Sequence, residues 1–240
     1  DVAKLKAEFL QHYYDANGIP LRTRLIAHIA LINKMAGLWP ALYNLAMKNR
    51  MLSRWINQLM GFAPERSMPL LSPRSLKSWM KGYLKALQPT GPTQRKIYLF
   101  NDEFTNYNDT DIGIKTIQLL TRLGYQVSIA RHRESGRAFL SKGLVRKARK
   151  IANRNIEQLS PFISEQTPLI GIEPSAILTF RDEYPELSEP RNRELARQLA
   201  GQSWTIEEFL QHEMQKGRIH KHQFHQRQVK ILLHGHCQQK

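Results

Sequence analysis

The chain has 240 residues, 41% of them hydrophobic, and a formal net charge of +16; that is enough apolar content for one sizeable core, and its charge biases it towards anionic partners. One cysteine excludes a disulfide framework and supplies one of the four thiolates an iron-sulfur cluster needs. The longest apolar stretch, residues 25–47, is interrupted by His28, Asn33, Lys34 and Pro40, so it falls short of the roughly 20 apolar residues of a membrane span.

In chain order, residues 2–14 place Val2, Leu5, Phe9 and Tyr13 at helical spacing, and Gly18-Ile19-Pro20 ends that helix. Residues 21–36 and 40–60 read as two further helices with broad apolar faces. Trp39 and Trp55, with Trp79 further on, read as helix-helix core. Residues 62–92 carry five prolines and are expected to be irregular apart from a helix at 75–87. This N-terminal part holds most of the positive excess, with 14 Lys and Arg against 4 Asp and Glu through Arg95.

From Lys96 the period changes. KIYLF is a strand, residues 109–123 a helix closed by Gly124, and YQVSIA a second strand. Residues 141–159 form a basic amphipathic helix with Ser141 as its N-cap, and PLIGI is a third strand. A helix starts at Pro174, two more occupy 190–200 and 205–216, and VKILLH is the fourth strand. Alternation of this length predicts an α/β fold, doubly wound, with a mainly parallel sheet of about four strands and flanking helices, preceded by an all-helical segment. The expected parts are a helical segment at 1–60, a proline-rich connector at 61–95 and the α/β part at 96–240.

Ligands of such sheets lie beyond the carboxyl ends of the strands. There the sequence places NDEFTNY, HRESGR, EPS and HGHC, one after each strand. Glu103, Glu134 and Glu173 are the conspicuous members. Three unpaired carboxylates in one pocket would raise each other's pKa, so they need compensation. Arg131, Arg133, Arg137 and Lys142 are candidates for it, and a divalent cation held by Glu103, Glu134 and Glu173 is the alternative. Asn106 and Tyr107 precede a helix they would cap. The loop bracketed by Gly136 and Gly143, with Arg137 and Ser141, has the composition of an anion-binding turn, and Ser175 and Pro174 sit in a first helical turn. His234 and His236, together with Cys237, would flank the sheet edge, while His212, His220, His222 and His225 show no metal-ligand spacing.

In order and spacing, IYLFNDEFTNYND, RHRESGRAFLSKG and IGIEPSAILTFRDEYPEL resemble the cysteine-rich "CCG" domain of FAD-linked oxidoreductases and heterodisulfide-reductase-like subunits. The family's first cysteine falls on Glu103, its Cys-Cys-Gly on Glu134, Ser135 and Gly136, and its Cys-Pro-Ser-Cys on Glu173 to Ala176; none is a thiol here. ILLHGHCQQK is similar to the segment that opens the second half of that module, with Cys237 on its cysteine and Gln238 in place of a histidine. DVAKLKAEFLQHYY resembles the helix that follows a ferredoxin-type four-iron four-sulfur segment. The resemblance covers nearly the whole chain, most closely at 96–189 and least at 61–95.

It implies a fragment of a larger polypeptide that oxidises a 2-hydroxy acid such as D-lactate, glycolate or 2-hydroxyglutarate, inactive by itself. FAD and four-iron four-sulfur clusters would belong to the parent and none to this fragment, with Cys237 a cluster ligand only in the intact protein. The implied partners are flavin and ferredoxin-type domains of the same polypeptide. The basic N-terminal region would meet an electron acceptor or the inner face of a cytoplasmic membrane. Nucleic acid is disfavoured, since no zinc-finger spacing, RNP motif or helix-turn-helix is present. The alternative is a standalone α/β domain that binds a divalent cation or small ligand in an acidic strand-end pocket.

Overall fold

A computed structural model describes residues 2–86, 95–225 and 229–232. Helix α1 (Val2–Asn17) stops at Gly18, whose φ of 79° only glycine adopts without strain. The stretch expected as one helix from Leu21 is two, α2 (Leu21–Ala27) and α3 (Ile29–Ala36). The break is at His28, whose ring Nδ1 lies 2.8 Å from the Arg24 carbonyl. A second expected helix is likewise divided into α4 (Pro40–Lys48) and α5 (Arg50–Leu59). Asn49 turns extended there and caps α5, its side-chain oxygen accepting from Leu52 N at 3.0 Å. Residues 61–75 form neither helix nor strand, and α6 (Leu76–Ala86) follows.

The second part runs β1 (Lys96–Phe100), α7 (Thr110–Arg122), β2 (Gln126–Ser128), α8 (Arg137–Ser141), α9 (Val145–Leu159) and β3 (Leu169–Gly171). It continues as α10 (Pro174–Asp182), α11 (Tyr184–Leu187), α12 (Arg193–Gly201), β4 (Ser203–Thr205) and α13 (Ile206–Gln215). All strand pairs are parallel, in the order β2-β1-β3-β4. Alternate residues of β1 feed opposite faces. Ile97 and Leu99 pack with Leu76, Ile117, Leu120 and Phe209, under α6, α7 and α13. Tyr98 and Phe100 pack with Ile156, Leu159, Ile177 and Phe180, under α9 and α10. The sheet is therefore covered on both sides, as the alternation of elements predicted.

Three expectations change. The fourth strand is Ser203–Thr205, not residues 229–234: residues 229–232 carry no strand, and the rest of that run lies outside the described residues. A three-residue strand with one large apolar residue leaves too little period to read. It is set in place by Leu169 N, which donates to Gln202 O at 2.9 Å, and by Ser203 Oγ, which donates to Leu199 O at 2.7 Å. The expected helix at 141–159 breaks at Gly143, so Ser141 ends α8 instead of capping α9, and its hydroxyl donates to Ala138 O at 3.0 Å. Trp39 and Trp55 are not core: they are 69% and 66% exposed, whereas Trp79 stacks on Tyr83 and joins the sheet core as expected.

The N-terminal helices dock on the sheet part through Ala27, Phe139, Leu144 and Ala148, with Tyr14 and Ile19 beside them. Arg146 adds a two-pronged bond to Asp15 at 2.9 and 2.6 Å. No helix among the described residues is long and apolar enough to cross a membrane.

Gly143 is the tightest point of that docking, with φ 71° and no room for a Cβ against Leu10. Gly143→Ala is expected to lower stability by about 2–4 kcal/mol in a urea melt, through both backbone strain and overpacking. Gly201→Ala, with nothing within 4 Å of its added Cβ, should move it by under about 1 kcal/mol. Equal costs at the two positions would show that α1 does not seat on α8 and α9.

Candidate functional site

The strand order changes direction between β1 and β3, and polar groups collect at their carboxyl ends as doubly wound sheets require. Directly after β1, Asp102 is almost fully buried and folds the chain back on itself. Its Oδ1 accepts from Phe104 N and Thr105 N, both at 2.9 Å, and its Oδ2 from Thr105 Oγ1 at 2.5 Å. Burial holds this carboxyl above its ordinary pKa, against those bonds, and the nearby Glu173 charge pushes the same way.

Glu103, 5% exposed, turns towards the loop after β2. Ser135 meets it with both donors, its backbone N–H at 3.1 Å and its hydroxyl at 2.7 Å. Burial raises the Glu103 carboxyl to about 7 even so, with the neighbouring Asp102 charge adding to the rise. Ser135 is itself fully buried, accepts from Arg137 N on Oγ and from Tyr184 Oη on its carbonyl. Asn155 donates to Tyr184 Oη at 2.8 Å and to Glu134 O at 2.9 Å, and accepts from Arg133 N at 2.7 Å. The loop after β2 is thus tied to β1, α9 and α11 by one continuous network.

His132 completes the rim. Its Nδ1 lies 2.7 Å from Arg133 O, so it carries the proton, and Nε2 accepts from Asn101 N at 3.4 Å. The ring lies 4.6 Å from that of Phe100, and enclosure by protein atoms lowers its pKa to about 4.

The other predicted residues have local tasks. Glu173 caps α10, accepting on Oε1 from Ser175 N at 3.3 Å and Ser175 Oγ at 2.7 Å, and Ala176 is buried in the core. Gly136 precedes the five-residue α8 with φ 80°. Arg137 pairs with Glu183 at 2.5 Å, so the compensation of Glu103 comes from Ser135 instead. Asn106 accepts from Asn101 Nδ2 and Lys77 N, and Tyr107 O accepts from Ser72 N, so this pair anchors the connector and α6 as well as preceding α7. His234, His236 and Cys237 lie outside the described residues.

Of the three glutamates, Glu103 bonds Ser135, the residue after Glu134, while the charges of Glu134 and Glu173 act on Tyr184 and Asp102 respectively. The three do not form a cation pocket: among the described residues no three His, Cys, Asp or Glu come together as metal ligands. A cavity of about 250 Å³ opens instead at the opposite edge, where Arg95, Pro168 and Gln202 precede the strands and Trp204, Phe209 and His212 form a wall. An iron-sulfur cluster does not fit the carboxyl edge either, because glutamate and serine oxygens and the Ala176 methyl replace the soft thiolates it requires.

Asp102, His132, Asn155 and Tyr184 were not foreseen. The spacing of Asp102, Phe104 and Thr105 is an Asx-turn pattern that sequence alone offers. The roles of Asn155 and Tyr184 depend on contacts across more than twenty residues.

No family model matches the chain, and no solved structure matches it. It is 28% identical over 218 residues to the D-2-hydroxyglutarate dehydrogenase of Pseudomonas putida, covering 86% of this chain and 21% of that protein. The enzyme of the same name from Pantoea ananatis is 26% identical over 195 residues, covering 78% and 19%. A component polypeptide of the anaerobic glycerol-3-phosphate dehydrogenase of Escherichia coli is 23% identical over 184 residues, covering 76% and 46%. The chain spans about a fifth of the length of the D-2-hydroxyglutarate dehydrogenases it matches.

Glu103, raised from 4.5 to about 7, binds its proton more tightly in the folded state, so its contribution to stability is lost as pH rises through that window. His132, lowered from 6.5 to about 4, has the opposite sign: its contribution is present above 6.5 and is lost as pH falls towards 4. Glu103→Gln removes only the first effect. Between pH 5 and pH 8 the variant should gain about 2–3 kcal/mol relative to the wild type in urea melts. A difference independent of pH would rule out a buried, titrating Glu103.

Proposed function

We propose that this chain is one domain of a larger oxidoreductase that oxidises a 2-hydroxy acid, and that it serves there as a thiol-free scaffold beside the path of the electrons. The observation that carries the reading is the similarity to D-2-hydroxyglutarate dehydrogenases across most of the chain, together with oxygen and methyl groups at the carboxyl edge of the sheet. The similarity to part of a glycerol-3-phosphate dehydrogenase supports the broader class, two-electron oxidation of an anionic alcohol.

In this reading FAD and four-iron four-sulfur clusters belong to the rest of the polypeptide, in flavin and ferredoxin-type domains that are this domain's partners. The setting is cytoplasmic. The helical segment at 1–60, the connector at 61–95 and the α/β part at 96–240 act as a unit that holds distances. The cofactors supply the redox chemistry, and this chain supplies a rigid wall. Glu103 and Ser135 take over the cross-linking that metal-bound cysteines would give, by tying β1 to the loop after β2.

The test uses the intact polypeptide, purified and mixed anaerobically with D-2-hydroxyglutarate. Its flavin absorbance should bleach. Ser135→Ala should lower the melting temperature, and both it and Glu103→Gln should leave the bleaching rate within about threefold of wild type, since a supporting residue does not touch the reacting atoms. A loss of a hundredfold or more at unchanged flavin content would place the two residues in the chemistry and overturn the scaffold role. Absence of flavin would overturn the oxidoreductase reading.

A further inference from the structure

Helices α3, α4 and α5 are turned inside out. Their inward positions are polar: Asn33 donates to Asn108 Oδ1 at 2.9 Å, Asn44 exchanges two bonds with the Leu71 backbone at 2.7 and 2.8 Å, and Asn57 donates to Arg66 O at 2.7 Å. Their outward positions are apolar. On α5, Met51, Trp55 and Leu59 follow one another at helical spacing and are 84%, 66% and 69% exposed. Leu38, just before α4, and Leu42 and Leu45 on it are 67–69% exposed. Most of the exposed large hydrophobic side chains among the described residues fall before residue 60. Exposed apolar side chains concentrated on one segment in this way point to a surface that is covered in the working protein.

Its charge says what covers it. Between Asp15 and Glu65 there is no acidic residue, while Arg22, Arg24, Lys34, Lys48, Arg50 and Arg54 fall on α2 to α5, Arg54 pairing with Glu65 at 3.0 Å. The matched D-2-hydroxyglutarate dehydrogenases are about five times the length of the segment they share with this chain, so the covering surface is available within one polypeptide of that kind. Exposed Met and Trp together with Arg is the composition of a protein-protein interface.

We infer that the outward face of α3–α5 docks against another domain of the same polypeptide, one that presents an apolar centre rimmed by carboxylates. This rests on the multi-domain reading above. Asn33, Asn44 and Asn57 hold the three helices against the connector and the turn after β1, so the face is presented as one shaped surface. The domain then has two sides with separate tasks, the sheet edge that replaces a cluster site and the helical face that fixes it to its neighbour.

Hydroxyl-radical footprinting of the 240-residue chain and of the intact polypeptide tests this without any substitution. In the isolated chain Trp39, Met51 and Trp55 should oxidise at the rate of free side chains. In the intact polypeptide their oxidation should slow by about fivefold or more, with Phe162, also exposed but on the sheet part, unchanged. Lys48→Glu with Arg50→Glu should restore at least about half the lost rate at Trp55. Equal rates in the two samples overturn the inference, as does protection produced only by phosphatidylglycerol vesicles and by neither the intact polypeptide nor phosphatidylcholine vesicles. An unchanged rate at Trp55 in the double variant overturns the acidic rim. An intact polypeptide that lacks flavin but protects the face supports the docking and sinks the oxidoreductase reading; one that oxidises substrate and leaves the face open does the reverse.

Discussion

Strand β1 is buried on both faces, and every strand beside it runs parallel to it. A parallel neighbour cannot be reached by a hairpin, so each return of the chain is made by a helix laid across one face. Ile97 and Leu99 draw α6, α7 and α13 to one side, and Tyr98 and Phe100 draw α9 and α10 to the other. The same geometry sends the segments after β1, β2 and β3 to a single edge. The polar cluster there follows from how the core is covered.

That cluster is held together by hydrogen bonds. A cluster-bearing edge would be held by bonds from thiolates to iron, whereas here a buried carboxyl receives two donors from one serine and keeps its proton near neutral pH. A charged partner would have cost more to bury than a serine and a backbone N–H. Tyr184 and Asn155 extend the support into α9 and α11, so the loop after β2 is fixed at several points. Neutral His132 lets this happen without adding a cation. The result suits a structural edge. Among the described residues it offers neither the soft donors of a cluster nor a set of ligands for a hard ion.

The helical segment obeys a different logic. Its own core is small, a few residues seated on α8 and α9, and Gly143 lets Leu10 come close. Beyond that contact, asparagines take the inward places and leave leucines, methionines and tryptophans outside. A lone domain gains nothing from such an arrangement, because apolar area facing water contributes no burial energy. The arrangement stabilises the protein once a second surface closes over it.

The parallel α/β class, KIYLF as a strand and the proline-led start of α10 were legible from residue pattern, because these depend on periods of two and 3.6 and on local turn chemistry. The placing of Glu103 and Ser135 at the carboxyl ends of neighbouring strands was legible too, since strand-end geometry follows from fold class. Sequence could not tell which way Trp39 and Trp55 face, because an amphipathic helix looks the same whether its apolar stripe meets its own core or a partner's. It could not find β4, whose three residues are a strand only because β3 lies beside them. Nor could it choose Ser135 over an arginine as the partner of Glu103. That choice is made by distances between residues far apart in the chain, which the tertiary structure sets when it buries the carboxyl.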